Sequence, residues 1–142
     1  MNPVAAKIAK VATGTHTAIY RASKGKVAGS MNGQKLVLLT TTGRRSGKRR
    51  TSPLMAFDFR GDLVLVASAG GSDRHPAWYH NIKGHPQVTV DDHGTVRTMT
   101  ARTMTAAERA EMWPQVVAQQ KRFGGYESKT SREIPLVVLT AA

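Results

Sequence analysis

The pattern of hydrophobic and polar positions predicts a chain built mainly of β-strands. Runs rich in Val, Leu, Thr and Phe are separated by turns that contain glycine, which is typical of strands joined as hairpins. The predicted strands are "KLVLLTTT" (Lys35–Thr42), "RTSPLMAFDF" (Arg50–Phe59), "DLVLVASA" (Asp62–Ala69), two strands in "QVTVDDHGTVRTMTART" around an Asp-His-Gly turn, and "IPLVVLT" near the end. Because helices do not alternate regularly with these strands, we expect an α+β fold, an antiparallel barrel or sandwich with attached helices, rather than a doubly wound parallel sheet.

A short amphipathic helix is predicted at the start of the chain. Asn2 and Pro3 are typical of a helix start, and Val4, Ile8 and Val11 fall on one face, opposite lysines. The helical pattern continues for a turn or two within "THTAIYRASKG". The basic face of this helix could contact an anionic membrane, or the helix could cap the barrel.

Two further helices are predicted in the second half. "SDRHPAWYHNIKG" offers Ser72 or Asp73 as a cap and a glycine at its far end. "TAAERAEMWPQVVAQQKRFGG" begins with Thr105 and Glu108 at capping-box spacing, and we expect a kink or break near Pro114.

Length and composition indicate one domain. The 142 residues form a single predicted domain, 1–142, in which residues 1–30 are expected to be a mobile amphipathic segment. No stretch approaches the ~18 consecutive apolar residues of a membrane-spanning helix. The sequence contains no cysteine, which excludes disulfides and suits a reducing cytoplasm. We expect a cytoplasmic protein, with the N-terminal helix as the candidate for peripheral contact with the inner face of the cell membrane.

Positive charge is concentrated in the first part of the chain. Lys and Arg outnumber Asp and Glu by 21 to 9, the net charge is +12, and the first acidic residue is Asp58. The loop in "LTTTGRRSGKRRTSP" places five basic side chains among the seven residues 44–50. Backbone N–H groups and forked guanidinium donors in such a loop match phosphate oxygens, although Gly43 to Lys48 is one residue shorter than a Walker loop. The charge alone fits a polyanionic cofactor, nucleic acid, an anionic membrane or a solvated hairpin tip.

Other local signatures of catalysis are weak. His75, His80 and His85 recur every five residues, a spacing that turns successive side chains by roughly 140° on a helix, so we predict no metal site. The sequence contains neither G-x-S-x-G nor G-x-G-x-x-G, so it supports neither a hydrolase elbow nor a Rossmann dinucleotide site.

Three blocks of the sequence resemble one family. "LLTTTGRRSGKRRTSPL", "LVASAGGSDRHPAWYHNIKGHPQVTV" and "YESKTSREIPLVVL" stand in the same order as in the deazaflavin-dependent nitroreductase family, and the likeness extends from about "GTHTAIYR" to the final strand. Members of that family use coenzyme F-420, an 8-hydroxy-5-deazaflavin, typically in actinobacteria. The resemblance implies a split β-barrel of mostly antiparallel strands with peripheral helices, related to the pyridoxamine-oxidase and other FMN-binding folds.

The resemblance also implies which residues bind the cofactor. Coenzyme F-420 carries a phosphodiester and a polyglutamate tail, for which a basic loop is a suitable anchor. The phosphate would be bound by Arg44, Arg45, Ser46 and Arg50, with Lys48 and Arg49 attracting the tail. The deazaflavin ring would be lined by Ser52, Pro53, Leu54, Met55, Val66, Ala67, Ser68 and Ala69, and the site would be closed by Ala77, Trp78, Tyr79 and Asn81. Trp78 would also serve as a core residue.

By the same resemblance, the activity would be hydride transfer from the reduced cofactor to a planar apolar acceptor such as a quinone, an unsaturated lactone or a nitroaromatic compound. The acceptor would contact Met55, Phe123, Tyr126 and Lys129, and a proton would come from solvent, Tyr126 or Ser68. In strongly nitroreducing members the acceptor side of the site is rich in tyrosine. In this chain the predicted acceptor contacts include a single tyrosine, Tyr126, which favours quinones or other planar enones as acceptors. The alternative is a non-catalytic binder, either a deazaflavin carrier or a basic nucleic-acid-binding barrel, although no specific nucleic acid is expected.

Overall fold

The computed structural model describes residues 14–142, and eight strands form one antiparallel sheet within them. The strands are β1 (Ser30–Met31), β2 (Gln34–Thr42), β3 (Arg49–Met55), β4 (Phe57–Phe59), β5 (Asp62–Val66), β6 (Gln87–Asp92), β7 (Thr95–Thr103) and β8 (Leu136–Ala141). Their order across the sheet is β1-β2-β6-β7-β8-β5-β4, with β3 paired to β2. The sheet is curled and carries helices at its periphery, so the predicted α+β architecture is confirmed.

Within residues 14–142, four helices and one 3-10 turn accompany the sheet. They are α1 (residues 14–23 as described), the 3-10 turn Ala69–Gly71, α2 (Ala77–Gly84), α3 (Ala106–Gln119) and α4 (Arg122–Glu127). Among residues 14–142, no helix is both long enough and apolar enough to cross a membrane. The amphipathic helix predicted from Asn2 to Val11 lies outside the described residues, so its proposed membrane contact stays a prediction.

The middle of the sheet is buried on both faces. Successive residues of a strand point to opposite faces, so Leu38 and Leu39 of β2 pack into two different hydrophobic clusters. The cluster that we call the helix-side core takes side chains from α1, α3 and α4, including Tyr20, Trp113 and Phe123. The cluster that we call the α2-side core takes Trp78, Tyr79 and Ile82 from α2.

One predicted strand is two strands in the structure. The prediction of a single strand from Arg50 to Phe59 is wrong, because the chain changes partner at Ala56. β3 pairs with β2 up to Met55, whereas β4 pairs with β5 from Phe57 onward. The Ala56 N–H donates to the carbonyl of Lys35 at 2.9 Å, which holds the chain at the point of change. The partner change curls the sheet and leaves one long edge of β3 without a strand partner among residues 14–142.

The start of α2 differs from the prediction. The cap is Pro76, in an extended conformation, rather than Ser72 or Asp73. A residue before proline avoids the helical region, so the helix begins only after Pro76. Ser72 accepts the Arg74 N–H at 3.2 Å instead, and the carboxylate of Asp73 accepts the hydroxyl of Thr130 at 2.8 Å.

The break predicted near Pro114 lies elsewhere. α3 runs through Pro114 and ends at Gln119, with Gln120 as its C-cap in an extended conformation. Pro114 and Ala110 are both exposed, so water can solvate the Ala110 carbonyl that loses its helical donor. The chain turns into α4 at Gln120, whose side-chain amide donates to the Asn32 carbonyl at 3.1 Å.

The side chain of Tyr20 fixes α1 to the sheet. Its hydroxyl lies 2.9 Å from the Leu36 carbonyl and 3.1 Å from that of Asp91, and it accepts the His93 N–H at 2.8 Å. The side chain is fully buried, and this burial raises the pKa of the phenol. α1 is therefore joined to both β2 and the β6–β7 turn.

The capping box of α3 gives a pH-dependent contribution to stability. The Glu108 carboxylate accepts two bonds from the Arg102 guanidinium, at 2.8 and 2.9 Å, and one from the Thr105 N–H at 2.9 Å. The Arg102 bonds first, then that of Thr105, lower the pKa of Glu108 from 4.5 to about 2. A depressed carboxyl pKa stabilises the fold above the unfolded pKa and loses that effect as pH falls through the folded one.

The Glu108→Gln variant tests this contribution. We expect the native chain to melt at a higher temperature than the variant above about pH 5, because only the carboxylate forms the charge-assisted pair. The difference should shrink between pH 4.5 and about 2, as the native carboxyl takes up its proton. Thermal unfolding followed by circular dichroism measures it, and an equal difference at pH 7 and pH 2 would contradict the assignment.

Candidate functional site

The basic loop between β2 and β3 is a compact hairpin closed by its own backbone. The Gly43 N–H donates to the Lys48 carbonyl at 2.8 Å, and the Gly47 N–H donates back to the Gly43 carbonyl at 2.9 Å. The Ser46 hydroxyl oxygen accepts the Lys48 N–H at 3.1 Å, which leaves its proton available for a ligand. A β-carbon on Gly43 would lie 2.6 Å from that oxygen, so a larger residue there would displace the Ser46 hydroxyl from this bond.

Asn81 of α2 fixes the loop to the body of the protein. Its Oδ1 accepts the Arg44 N–H at 3.1 Å, and its Nδ2 donates to the Thr41 hydroxyl at 3.1 Å. The side chain is buried, and its bond to Thr41 is shielded from competing water. Asn81 therefore positions the base of the basic loop.

A basic cavity of about 860 Å³ opens beside this loop, between α1, β3 and α2. Its described lining residues are Gly14, Thr17, Arg21, Thr41, Gly43, Arg44, Arg45, Ser46, Arg49, Arg50, Thr51, Ser52, Ala77, Trp78 and Asn81. This set contains five arginines and no carboxylate. The guanidinium groups consequently lie beside space that suits a polyanion.

Two of these arginines are held by threonines of the sheet. Arg21 of α1 donates to the Thr51 hydroxyl at 3.2 Å. Arg49 donates to Thr42 at 3.0 Å and to Thr89 at 2.7 Å. Arg49 thus lies against the cavity wall, and Arg21 adds positive charge from α1.

An apolar cavity of about 310 Å³ adjoins the helix-side core. Its described lining residues are His16, Met31, Leu36, Pro53, Leu54, Met55, Val66, Ser68, Gly70, Arg122, Phe123 and Tyr126. Neighbouring residues line the two cavities in two places, Ser52 and Pro53 on β3, and Thr17 and His16 on α1. The two cavities therefore share the wall formed by β3 and the cover formed by α1.

The unpaired edge of β3 runs along this shared wall. Pro53 has no N–H, and an edge strand is where a sheet accommodates proline. The free N–H and C=O groups of such an edge can pair with the polar rim of a planar ring. β3 can therefore contact both a ring and a charged extension of one ligand.

Most of the residues predicted for the site lie around these two cavities, and five do not line either one. Lys48 lies in the loop, Ala67 is buried behind the wall, and Ala69 is exposed in the 3-10 turn. Tyr79 faces the α2-side core and lies 2.9 Å from the Thr103 hydroxyl through its own hydroxyl. Lys129 lies with its Nζ 5.6 Å from the centre of the Tyr126 ring. Their direct ligand contacts stay predictions.

Sequence reasoning missed His16 and Arg21 as lining residues. The signal was present in "THTAIYR", where His16 lies four residues before Tyr20 and hence on the same helix face. The buried position of Tyr20 decides which face that is.

Arg132 fastens the loop that follows β5. Its guanidinium donates to the carbonyls of Ser72 at 2.8 Å, Ser68 at 2.8 Å and Ala67 at 3.3 Å, and it lies 3.0 Å from His75 Nδ1. Burial lowers the pKa of His75, and Arg132 lowers it further, which favours the neutral imidazole that can accept a bond from the guanidinium. Arg132 therefore holds the Ser68 side of the apolar cavity.

Gly71 sets how closely α4 approaches the same loop. A β-carbon at Gly71 would lie 3.0 Å from the Tyr126 carbonyl oxygen and 3.1 Å from Lys129 Cδ, at a φ of +86°. Gly70 has a φ of +64° with nothing within 4 Å of such a carbon. Both glycines have a positive φ, which favours glycine, but only Gly71 has neighbouring atoms close to the position of an added β-carbon.

Alanine at these two positions separates those effects. We expect Gly71→Ala to lower the free energy of unfolding by about 2 kcal/mol more than Gly70→Ala, because only the former forces α4 away. Chemical denaturation of both variants measures the difference. Equal losses would mean that backbone strain alone matters and that α4 is not packed as described.

A comparison with known protein families shows to which family the chain belongs. Residues 12–141 match the family described as F420H(2)-dependent quinone reductase. The chain belongs to this family. Members take reducing equivalents from reduced coenzyme F-420, so the chain is an oxidoreductase with that cofactor as reductant.

Individual relatives of the quinone reductase family agree with this. An F420H(2)-dependent quinone reductase of Mycobacterium tuberculosis is 36% identical over 130 residues, which cover 88% of this chain and 87% of the relative. A solved structure of an F420-H2-dependent reductase is 40% identical, with a TM-score of 0.67 over 74% of this chain and 93% of that one. A Listeria innocua protein assigned as a pyridoxamine 5'-phosphate oxidase is 9% identical, with a TM-score of 0.53 over 74% of this chain and 82% of that one, and shows the split-barrel fold alone.

The residues of this quinone reductase family member fit the cofactor. The phosphodiester and the glutamate carboxylates of F-420 are anions, and the described lining of the basic cavity has five arginines without a carboxylate. The deazaflavin ring is planar and largely apolar, and the adjoining cavity is walled by such side chains as Leu36, Leu54 and Val66. The order of these features along β3 matches a cofactor with a charged arm and a flat ring.

Proposed function

We propose that the protein transfers a hydride from reduced coenzyme F-420 to a quinone, with the charged arm of the cofactor in the basic cavity and its ring at the apolar one. The observation that carries this proposal is the shared wall of the two cavities. Ser52 and Pro53 are neighbours on β3 and line different cavities. A single extended ligand following β3 would therefore have its anionic and planar parts in surroundings of the right character.

In this proposal the phosphate contacts come from Arg44, Arg45, Ser46 and Arg50. These residues line the basic cavity, and a guanidinium donates two parallel bonds to a phosphate. Arg21 joins them from α1. Lys48 adds long-range attraction, because it does not line the cavity itself.

The ring contacts in this proposal come from the end of β3 and the end of β5. Pro53, Leu54 and Met55 would lie against the ring, with Val66 and Ser68 beside them. Trp78 lines the basic cavity and packs in the α2-side core, so in this proposal it closes the cofactor site and is also a core residue. The free edge of β3 would pair with the polar rim of the ring.

When bound, the reduced cofactor supplies a hydride and does not react readily as a one-electron donor. The chain's task is then to bind both partners at contact distance and to exclude water. Phe123 and Tyr126 of α4 form the wall opposite β3, against which a flat acceptor can stack. Tyr126 in this wall and Ser68, which follows β5, carry the hydroxyls that are the candidate proton donors.

Quinones are favoured over nitroaromatic compounds and lactones as acceptors. The lining of the apolar cavity is mostly apolar, and its described part contains one tyrosine. A quinone needs an apolar slot and one or two hydrogen-bond donors at its carbonyls. Unsaturated lactones and nitroaromatic compounds remain the wider proposed acceptor class.

The test is to titrate purified protein into reduced coenzyme F-420 with menadione present, following cofactor binding and cofactor oxidation together. We expect the oxidation rate to saturate with the fraction of bound cofactor. Tight binding with oxidation no faster than in protein-free buffer would instead indicate a carrier. Absence of binding would overturn the proposal, and salt-sensitive binding of an oligonucleotide would then favour the nucleic-acid alternative.

A further inference from the structure

His16 presents an unsatisfied polar atom at the apolar cavity. The residue lines that cavity, and its Nε2 is buried with no hydrogen-bond partner in the described part of the chain. Nearly all buried polar atoms in folded proteins have a partner, so an orphan beside a cavity calls for an explanation. Hydrogen bonding to a ligand provides one.

The position of His16 is fixed by the fold. It lies one helical turn before Tyr20, whose hydroxyl bonds attach α1 to β2 and to the β6–β7 turn. Thr17, the next residue, is buried and faces the basic cavity. The imidazole is therefore placed by a helix that is anchored to the sheet rather than by a free surface segment.

The surroundings of His16 suit a carbonyl oxygen. Most described residues of the cavity are apolar, and the other polar side chains on its wall are Ser68, Arg122 and Tyr126. A flat apolar molecule is stabilised by burying its surface against this lining. Its oxygens are the exception, because a buried oxygen needs a hydrogen-bond donor. The Nε2–H tautomer of His16 supplies a donor from α1.

We propose that His16 is a catalytic residue that donates a hydrogen bond from Nε2 to a carbonyl oxygen of the quinone, a role that rests on the proposed function above. Hydride transfer brings two electrons and one proton to the quinone and gives the hydroquinone monoanion. One proton, from solvent or through the hydroxyl of Tyr126 or Ser68, then completes the hydroquinone. The Nε2–H stabilises the negative charge that develops on the oxygen, and the imidazole ends in the protonation state in which it began.

The kinetic test compares three substitutions. His16→Phe keeps a flat ring but removes the donor, and we expect kcat with menadione to fall about 100-fold, with KM changing less, because the bond is strongest in the transition state. His16→Gln places an amide N–H near the position of Nε2, and we expect it to recover most of the loss. His85→Gln is the control, since His85 is exposed and lies outside both cavities, and we expect native kinetics from it.

A spectroscopic test avoids turnover. With histidines labelled with ¹⁵N and oxidised coenzyme F-420 bound, no hydride is available, so added menadione forms a stable complex. We expect the Nε2 resonance of His16 to shift on titration while that of His85 does not. Thermal unfolding of each variant shows whether it is folded, and His16→Gln provides the comparison if His16→Phe is not.

The outcomes distinguish a failure of the proposed role of His16 from a failure of the proposed function on which it rests. A native protein that fails to oxidise the reduced cofactor with menadione would sink the proposed function itself. A native protein that turns over while a folded His16→Phe variant matches its kcat would overturn the role of His16 alone. An unmoved His16 resonance in the menadione complex would do the same.

Discussion

The double variant Arg44→Ala/Arg50→Ala is expected to bind coenzyme F-420 about 100-fold more weakly than the native protein, since each lost charge-assisted bond costs about 1.5–3 kcal/mol before solvent screening at these exposed groups. Both residues line the basic cavity, Arg44 in the loop that Asn81 holds and Arg50 on β3 beside it. Isothermal titration with the oxidised cofactor measures the affinity without turnover. At saturating cofactor, kcat should remain within a few-fold of native, because neither arginine lines the apolar cavity.

The matched control removes the same charge elsewhere. Arg60 and Arg97 are exposed and lie outside both cavities, and the only carboxylate contact described for either is the exposed pair of Arg60 with Glu111 at 2.7 Å. We expect Arg60→Ala/Arg97→Ala to change the affinity less than about threefold, through its smaller effect on the overall field. Equal weakening by the two double variants would mean that net charge, rather than the basic cavity, binds the cofactor.

Replacing Arg132 should have the largest effect on stability. Arg132→Ala leaves three carbonyls and His75 without their donor, and we expect the free energy of unfolding to fall by about 3 kcal/mol. For a domain of this length that corresponds to roughly a 10 °C lower melting temperature. The KM for the acceptor should rise too, because the released loop carries Ser68. Differential scanning calorimetry and steady-state kinetics measure the two effects.

Arg132→Lys distinguishes geometry from charge. Lysine keeps the positive charge but cannot present the guanidinium fork to several acceptors at once. We expect it to recover less than half of the lost stability, and we expect the pKa of His75 to rise in Arg132→Ala, since Arg132 is one of the groups that lower it. Native stability in Arg132→Lys would show that the fork is not needed.

Local signals in the sequence were enough to predict the β6–β7 hairpin and the start of α3. The β6–β7 turn follows from Asp-His-Gly, because His93 and Gly94 both adopt positive φ, as such turns require. The capping box of α3 follows from Thr105 and Glu108 in the same way. The change of partner at Ala56 does not, since the alternation of buried residues continues into Phe57 and Phe59 while the partner strand is decided by distant parts of the chain.

The residues of the candidate site also divide into those that local sequence identifies and those that only tertiary contacts bring to the site. The basic loop could be identified from its charge and from the sequence blocks that resemble the family, because its residues are contiguous in sequence. His16 and Arg21 belong to the site only because Tyr20 turns one face of α1 toward the sheet, a contact between residues far apart in the chain. Tyr79 stands within the motif "PAWYHN" but faces the α2-side core, since neighbouring residues of a helix point in different directions.

The shared wall of β3 also separates two kinds of force along a single strand. The end near Arg50 acts through charge, over a distance that dissolved ions shorten to about 8–10 Å near physiological ionic strength. The end near Met55 acts through contact and the removal of apolar surface from water, which dissolved ions hardly screen. Ionic strength therefore governs how fast the protein captures its anionic cofactor, while the encounter with an uncharged acceptor proceeds at the same pace in dilute and concentrated salt.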